Sequence, residues 1–343
     1  MLKKMLNLFV KNSVEDKELV EWVNAYNRNT STDGKLTYAD ILNLNKLEIG
    51  GDFESLTYIP EGIGALVNLR ELRFDKNVIK EVPKSIENLT NLEVLVFEDM
   101  PLRSIPDEMF ELSKIKYLAL GRTELQELPK EINKLQNLEY LNIYTSKFKS
   151  LPEELCECEK LKVIDLLGSH IETMPEDIGN LKELETLCLQ NSKIKELPKS
   201  IVKLDKLVVL DLWRALSFER LPQNIGEMKN LEAIKVEGTQ IEILPESIGD
   251  CESLKVLDLK GTKLTQLPRS VTNLQKLELL NMLKCKVTEL PQEMEEIKKL
   301  SIISKRVKNI SKNILSDDSE IKHNVKLTPT ISCLDIDLGR VSV

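Results

Sequence analysis

Eleven of the thirteen prolines recur at a fixed interval, and this interval constrains the fold more than any other feature of the sequence. Successive members of the series are 23 residues apart, except that 24 residues separate Pro198 from Pro222. A unit of this size cannot bury its own leucines, so the copies must stack on one another around a shared core. The interval therefore predicts a solenoid of about eleven repeats, marked by Pro60, Pro83, Pro106, Pro129, Pro152, Pro175, Pro198, Pro222, Pro245, Pro268 and Pro291.

Each repeat contains two segments with different hydrophobic spacing. In residues 175–198, PEDIGNLKELETLCLQNSKIKELP, the leucines of L-x-L have period two, which is typical of one side of a short strand. The preceding P-x-x-I-x-x-L-x-x-L has helix-like spacing and begins at a proline, which suits the first position of a helix. Stacked copies would pair their strands in parallel, about 4.8 Å apart. The sequence thus predicts an α/β solenoid with a parallel β-sheet on one face and short helical or 3₁₀ segments on the other.

The pattern resembles the leucine-rich repeat family over residues 44–303, and its 23-residue LP form is similar to intracellular Ras-group, plant-resistance and bacterial repeats. The resemblance implies a horseshoe whose sheet lines the concave face and whose short helical segments lie on the convex face. Family members often have Asn at the ninth position of L-x-x-L-x-L-x-x-N, where its side chain bonds loop backbone. Small hydroxyl residues can also form hydrogen bonds to local backbone groups. We therefore expect a modified ladder of hydrogen bonds between the ninth-position side chains and the backbone. The residues at this position are Asn77, Met100, Thr123, Ser146, Ser169, Ser192, Thr239, Thr262 and Cys285.

Charge balance and cysteine pattern narrow the class of protein. With 48 basic and 56 acidic residues the formal net charge is -8, so we expect neither nucleic-acid nor membrane binding. The opening MLKKMLNLFVKN has too short an apolar run for a secretory signal, and no segment reaches the length of a membrane span. The six cysteines are scattered and do not staple the ends of the array. We therefore expect reduced thiols, a cytoplasmic location and a monomer.

Residues outside the array are expected to cap it. Residues 1–43 lack the repeat and predict a helical cap, because the first repeat would otherwise expose its core edge. Residues 304–343 form a C-terminal cap or tail, in which ISCLDIDLGRVSV fits a terminal strand and a mobile tail equally. The cap residues at helical spacing are Leu19, Val20, Val23 and Tyr26, with Trp22 beside them, and the first strand has Leu44, Leu47 and Ile49 as its core.

Residues 29–40, NTSTDGKLTYAD, partly match the calcium-loop template. Gly34 falls at the sixth position and Asp33 at the fifth, but Asn29 would be the first ligand and Asp40, rather than a bidentate Glu, the twelfth. The alternative is an Asp-Gly turn between two cap segments, which needs no metal. A calcium-linked binding module is kept as an alternative function, while the expectation is that the chain binds no metal and no other cofactor.

Neither zinc binding nor catalysis is favoured by the sequence. His170 and His323 are far apart, and Cys156 and Cys158 are separated by one residue instead of two to four. The letters Cys-x-Asp at 333–335 match a motif of bacterial leucine-rich ubiquitin ligases, but the large helical domain that carries it there is missing. No Ser/His/Asp set or phosphate-binding glycine loop stands in a suitable context. We therefore expect that the protein is not an enzyme.

A candidate binding surface follows from the strand pattern. Positions three, five, seven and eight of L-x-x-L-x-L-x-x point away from the core, onto the concave face. In the middle repeats they combine aromatic residues with arginines, the types over-represented at binding hot spots. A contiguous apolar surface usually marks an interaction site, although Val and Tyr also favour strands on their own account. The predicted partner-binding residues are Tyr117, Arg122, Tyr140, Tyr144, Asp165, Leu167, Asp211, Trp213, Arg214 and Lys235.

This face predicts a protein–protein interaction module, a signalling scaffold or adaptor in which aromatic anchors fill pockets on a protein partner and charged residues set its orientation. A host-directed bacterial effector of the same fold, exported without a cleaved signal, is an alternative. The extra residue of the 24-residue repeat falls within 215–217, because Phe218 resumes the core frame four residues before Pro222. We expect it to bulge at the rim of the face and to re-aim Trp213 and Arg214.

Overall fold

Successive repeats place equivalent positions side by side in parallel β-sheet, as the solenoid prediction requires. The structure, a computed structural model, describes residues 16–27, 35–50 and 56–308. The chain divides into two units, residues 1–142 and 143–343. In each unit the strands alternate with short 3₁₀ helices, which confirms the predicted α/β repeat solenoid.

Within the described part of the first unit, five parallel strands pair in chain order and in register. One leucine of every strand points into the core, so that Leu47, Leu72, Leu95, Leu118 and Leu141 lie side by side and are buried. Each added strand thus extends one continuous row of aliphatic side chains. The strands are β1 (Lys46–Gly50), β2 (Glu71–Asp75), β3 (Val94–Glu98), β4 (Tyr117–Ala119) and β5 (Tyr140–Asn142).

The described part of the second unit repeats this arrangement with seven strands of three residues each. Its buried row begins with Ile164, Leu187, Leu210 and Ile234, each of which pairs with the equivalent residue of the next strand. Leu210 pairs with Ile234 although this is the 24-residue repeat, so the extra residue is accommodated outside the sheet. The strands are β6 (Val163–Asp165), β7 (Thr186–Cys188), β8 (Val209–Asp211), β9 (Ala233–Lys235), β10 (Val256–Asp258), β11 (Leu279–Asn281) and β12 (Ser301–Ile303).

The segments after the prolines are 3₁₀ helices, and the prediction that proline occupies their first position is wrong. Pro245, for example, has an extended ψ of 147°, and its carbonyl accepts the first hydrogen bond, from the Ile248 N–H. The proline is therefore the N-cap in most repeats, whereas Asp177 and Asn224 are the N-caps of the two shorter helices. The 3₁₀ helices are Glu61–Ala65, Lys84–Asn88, Asp107–Glu111 and Lys130–Lys134 in the first unit, and Glu153–Glu157, Ile178–Asn180, Lys199–Lys203, Ile225–Glu227, Glu246–Asp250, Arg269–Asn273 and Gln292–Glu296 in the second.

Within the described part of the first unit, two α-helices precede the strands, Lys17–Tyr26 and Tyr38–Leu42. Asp16 is the N-cap of the first of these helices, and its carboxylate accepts from the Leu19 N–H at 3.0 Å. Its buried side chains include Trp22, which lies 6.1 Å from the Phe74 ring, so this tryptophan is a core residue of the unit. None of the helices in the described residues is long and apolar enough to cross a membrane. The division into cap, array and tail stays a prediction.

The ninth-position ladder is modified in the way that the sequence predicts. The Asn77 amide accepts from the Leu56 N–H and donates to the Ile49 carbonyl, which joins neighbouring turns of the chain. In several later repeats a hydroxyl group takes this position and donates to the carbonyl three residues earlier in the chain. Thr239, for example, donates to the Val236 carbonyl at 2.8 Å. The hydroxyl groups of Thr123, Ser192, Thr239 and Thr262 thus satisfy local carbonyl groups, whereas the Cys285 thiol still links repeats by donating to the Leu259 carbonyl at 2.9 Å.

Close stacking of neighbouring 3₁₀ helices requires glycine at Gly226. A Cβ atom there would lie 2.2 Å from the carbonyl oxygen of Ser247 in the following repeat. Both groups belong to backbone segments that are held by hydrogen bonds, so neither gives way easily.

We expect Gly226→Ala to lower the free energy of unfolding by about 1–3 kcal/mol, because the added methyl group forces the two repeats apart. Urea denaturation followed by circular dichroism measures the change. The matched control is Glu227→Ala, at the exposed neighbouring position, which should leave stability within about 0.5 kcal/mol. Equal effects of the two substitutions would contradict the packing argument.

Candidate functional site

The predicted partner-binding residues fall in both units. Tyr117, Arg122 and Tyr140 belong to the first unit, and the other seven belong to the second. All lie at positions three, five, seven or eight of their repeats, on strands or at the turns that follow them. We call the side of each sheet opposite the leucine row the outward sheet face.

In the first unit, aromatic packing has buried part of the predicted site. Tyr117 is only 1% exposed, and its ring stacks on Tyr140 with centroids 6.1 Å apart. Arg122 is exposed, and its Nη1 lies 3.1 Å from the Asp99 carboxylate of the preceding repeat. Tyr140, which is half-buried, and Arg122 are therefore the predicted residues of this unit that solvent reaches.

In the second unit, the aspartates at position five each stabilise the turn that follows their own strand. Asp165 Oδ1 accepts from the Leu167 N–H at 2.9 Å, and Asp211 Oδ1 accepts from the Trp213 N–H at 3.0 Å. Asn281 makes the equivalent contact in a later repeat. A carboxylate that binds backbone two residues on is a standard turn device, and both aspartates are 6% exposed. The structure thus gives Asp165 and Asp211 an internal role that the sequence analysis missed.

Asp211 also connects three successive repeats. Its Oδ2 accepts from the Gln190 amide at 2.8 Å and lies 3.5 Å from the Lys235 ammonium group. Asp211 therefore positions Trp213 through the backbone and Gln190 through the side chain. The sequence analysis missed Gln190, whose position seven in the adjacent repeat places it beside Asp211.

Trp213, Arg214 and Leu216 form what we call the rim patch of the second unit. The Arg214 guanidinium carbon lies 5.3 Å from the centroid of the Trp213 ring, within the range of a cation–π contact. Trp213 is half-buried and Arg214 is exposed. Leu216, which was not among the predicted residues, is 57% exposed. The patch thus combines an aromatic ring, a cation and an unburied aliphatic side chain on one turn. Tyr144 and Leu167, at position seven of earlier repeats, are half-buried.

The extra residue does not re-aim Trp213 and Arg214, so that expectation is wrong. Arg214 has φ 56°, close to the 54° of Asn191 at the same position of the preceding repeat. Its N–H donates to the Glu237 carbonyl at 2.8 Å, just as the Asn191 N–H donates to Trp213. The insertion is instead taken up one step later, where the Phe218 N–H closes a turn on the Ala215 carbonyl at 3.0 Å. The extra residue therefore leaves the backbone at the end of the strand unchanged and exposes Leu216 beside it.

Candidate metal ligands have other roles where the structure describes them. Asp40 accepts from both the N–H and the hydroxyl of Thr37, which forms a helix cap, and these bonds lower the pKa of its carboxyl. Burial raises the pKa values of the buried Cys156 and Cys158 thiols to about 12. Among the described residues, no group of three or more His, Cys, Asp or Glu is arranged to hold a metal ion. Residues 29–34, His323 and the Cys-x-Asp letters at 333–335 lie outside the described residues.

One cysteine departs from the expected pattern of reduced thiols. Cys188, at position five of β7, is disulfide-bonded. The expectation that every cysteine is reduced is therefore wrong at this position. The other cysteines in the described residues, Cys156, Cys158, Cys251 and Cys285, are free thiols.

Burial makes Asp165 an unusual carboxyl on this face, because it raises the pKa from 3.8 to about 6. The native state then keeps a proton to about pH 6, while the unfolded chain releases it near pH 4. The stabilisation that the neutral form provides is complete below about pH 4 and is lost as pH rises through about 6.

Asp165→Asn should therefore raise the free energy of unfolding by about 1–3 kcal/mol at pH 8 and leave it nearly unchanged at pH 4. Asparagine still accepts from the Leu167 N–H, as Asn281 does from Leu283. Urea denaturation at the two pH values measures the difference, with the exposed Glu185→Gln as the control. A gain that is the same at both pH values would show that Asp165 does not titrate between them.

Comparisons with known proteins agree with this geometry. A family model described as a leucine-rich repeat region matches residues 153–239. A search of curated proteins gave no match. A leucine-rich repeat protein of Leptospira interrogans is 24% identical with a TM-score of 0.56, and the alignment covers 88% of this chain and 95% of that one. An internalin of Listeria monocytogenes is 16% identical with a TM-score of 0.62, covering 88% and 91%.

Plant receptors share the fold over part of their length. The Arabidopsis receptor kinase HAESA, solved with a peptide hormone and a co-receptor, is 22% identical with a TM-score of 0.59. The alignment covers 80% of this chain and 47% of the receptor chain, so this chain spans about half of that receptor. The chain therefore has the leucine-rich repeat fold, and its residues 153–239 match the model of a leucine-rich repeat region. The LP subtype stays a prediction.

Proposed function

We propose that the chain is a protein–protein interaction module, a scaffold or adaptor that binds a protein partner through the outward sheet face. The observation that carries the proposal is the rim patch of the second unit. It presents a tryptophan, an arginine and an exposed leucine on a turn whose backbone is fixed by the Asp211 and Glu237 contacts. Aromatic and arginine side chains dominate binding hot spots, and a preorganised turn loses little entropy on binding.

The chemistry of the rim patch favours a particular kind of partner surface. The Trp213 ring and Leu216 call for an apolar pocket, and the Arg214 guanidinium beside them calls for a carboxylate at the pocket edge. Asp211 and Lys235 are already paired with each other, so they contribute a fixed local field and not free charges. A protein surface with an acidic group next to an aliphatic or aromatic pocket meets these requirements.

Other members of the fold support a binding role. HAESA was solved in complex with a peptide hormone and a co-receptor. In the Drosophila Toll–Spatzle complex, the matched chain is 19% identical with a TM-score of 0.61. A cytoplasmic location, a monomeric state and the absence of enzymatic activity belong to the same proposal. Subcellular fractionation and size-exclusion chromatography test the first two.

Replacing Tyr144 and Trp213 together by alanine should weaken partner binding at least about 100-fold, because two large aromatic contacts are lost. The partner is first identified by pull-down with the wild-type chain, and its Kd is then measured for each variant. The melting temperature should stay unchanged, since neither side chain belongs to the leucine row. Ile243→Ala removes an aliphatic side chain that is 71% exposed outside the rim patch and should leave the Kd unchanged. Full retention of binding by the double variant would rule out this surface.

A further inference from the structure

Three successive repeats of the second unit carry basic side chains on the loops that follow the ninth position. In each loop a buried residue, Phe148, Ile171 or Ile194, has a neighbour on either side that solvent reaches. Because the central side chain points into the core, the two neighbouring side chains point away from it. The neighbours form two rows, Lys147, His170 and Lys193 in the first, and Lys149, Glu172 and Lys195 in the second.

Backbone hydrogen bonds between repeats hold these loops side by side. The His170 N–H donates to the Ser146 carbonyl at 3.0 Å, and the Glu172 N–H donates to the Lys149 carbonyl at 2.8 Å. Equivalent residues therefore follow one another across the repeats, at a spacing close to the roughly 4.8 Å between neighbouring strands.

We call the five basic residues of these rows the basic patch: Lys147, Lys149, His170, Lys193 and Lys195. All five are exposed, and none of them forms an ion pair with a carboxylate among the described residues. On other rows of this unit lysines do have such partners, as Lys206 has Glu183 and Lys260 has Glu237. The two rows hold four lysines and one glutamate, a net charge of +3 with the histidine neutral, in a chain whose net charge is -8.

The basic patch lies next to the rim patch. The Lys195 carbonyl accepts from the Glu219 N–H of the following repeat at 3.0 Å, so these two loops are neighbours. That following loop contains the exposed Leu216, and the exposed Arg214 precedes it. A ligand that crosses the loops in chain order thus meets several cations and then an aliphatic side chain. The acidic Glu219 ends the row of Lys149 and Lys195 at this repeat.

We propose that the basic patch binds an acidic segment of the protein partner, with glutamate or aspartate side chains on its lysines and an apolar residue on Leu216. In an extended peptide, alternate side chains lie on one side about 7 Å apart. Lys147 and Lys193 are two repeats apart, or about 10 Å, so carboxylates at alternate positions of the peptide reach both ammonium groups. Assigning the segment to the partner rests on the proposed function, whereas binding of an acidic peptide does not.

The chemistry of the patch favours an acidic peptide over a nucleic acid. Proteins that bind single-stranded nucleic acids combine a basic groove with aromatic side chains on which bases stack, and the basic patch contains no aromatic residue. The patch extends over only three repeats, and the chain as a whole is acidic, which opposes binding of a long polyanion. A short run of carboxylates matches both the extent and the sign of the patch.

Fluorescence polarisation tests the charge requirement without any partner. The probe is a short fluorescein-labelled peptide in which Glu alternates with Ser and which ends in Leu, and it is titrated with the full-length protein. The same peptide with Gln in place of Glu should bind at least about tenfold more weakly, since only the carboxylates differ. Raising the ionic strength from about 0.05 M to about 0.5 M should also weaken the Glu peptide. Equal Kd values for the two peptides, or tighter binding of a single-stranded DNA with the same net charge, would overturn the proposal.

Charge reversal tests whether the patch is the binding site. Lys147→Glu combined with Lys193→Glu should weaken the Glu peptide at least about tenfold. The matched control, Lys199→Glu combined with Lys276→Glu, changes the net charge equally at two exposed positions outside the rows and should change the Kd by less than about threefold. All four residues are exposed, so both variants should melt at the wild-type temperature. Equal weakening by the two variants would show that net charge governs binding, which would overturn the site.

The partner identified by pull-down provides the final test. Its Kd should rise at least about tenfold with Lys147→Glu combined with Lys193→Glu. A partner that binds this variant with wild-type affinity would overturn the role of the basic patch in partner binding and leave the rim patch untouched. The double alanine variant of Tyr144 and Trp213 keeps every residue of the basic patch, so it should still bind the Glu peptide. Failure of the proposed function is thereby distinguished from failure of this inference.

Discussion

The constraint on which the rest of the structure depends is the register of the parallel strands. Every described pairing joins the same position of consecutive repeats, so each buried aliphatic side chain packs on its own copy. The register is continued at the strand exit, where position eight adopts a left-handed backbone and donates its N–H to the next repeat. Arg214 and Gly238 both do this, which shows that the conformation is set by the hydrogen bond and not by glycine alone.

Because equivalent positions lie side by side, the outward face consists of rows in which chemistry repeats. A row of like charges would repel itself, and the chain avoids this by alternating sign. Lys235 follows Asp211 in one row, and Lys260 follows Glu237 in another, where the ammonium group lies 3.1 Å from the carboxylate. Where the row holds Asp165 next to Cys188, burial acts instead and favours the neutral carboxyl. The charge of each row therefore depends on residues from several successive repeats.

The sequence predicted the features that depend on the spacing of residues along the chain. It did not predict contacts between residues that are distant in sequence. Leucine spacing alone located the strands and the buried rows, since period-two side chains must share a face. The same spacing could not distinguish 3₁₀ from α-helix, because both place residues three apart on one side. It placed Tyr117 on an accessible surface but could not foresee that Tyr140 would stack on it. The Cys188 bond was likewise invisible, since scattered cysteines carry no information about which of them approach each other.

The turn at Ala215–Phe218 has a practical consequence. It shows that one repeat lengthened while the pairing of Leu210 with Ile234 and the exit at Arg214 stayed as in its neighbours. Loop closure costs rise only slowly with length, so the same turn should accommodate longer peptides. It is therefore a natural graft position for an epitope tag or a fluorescent reporter, one that would stand directly beside the surface where a partner is sought.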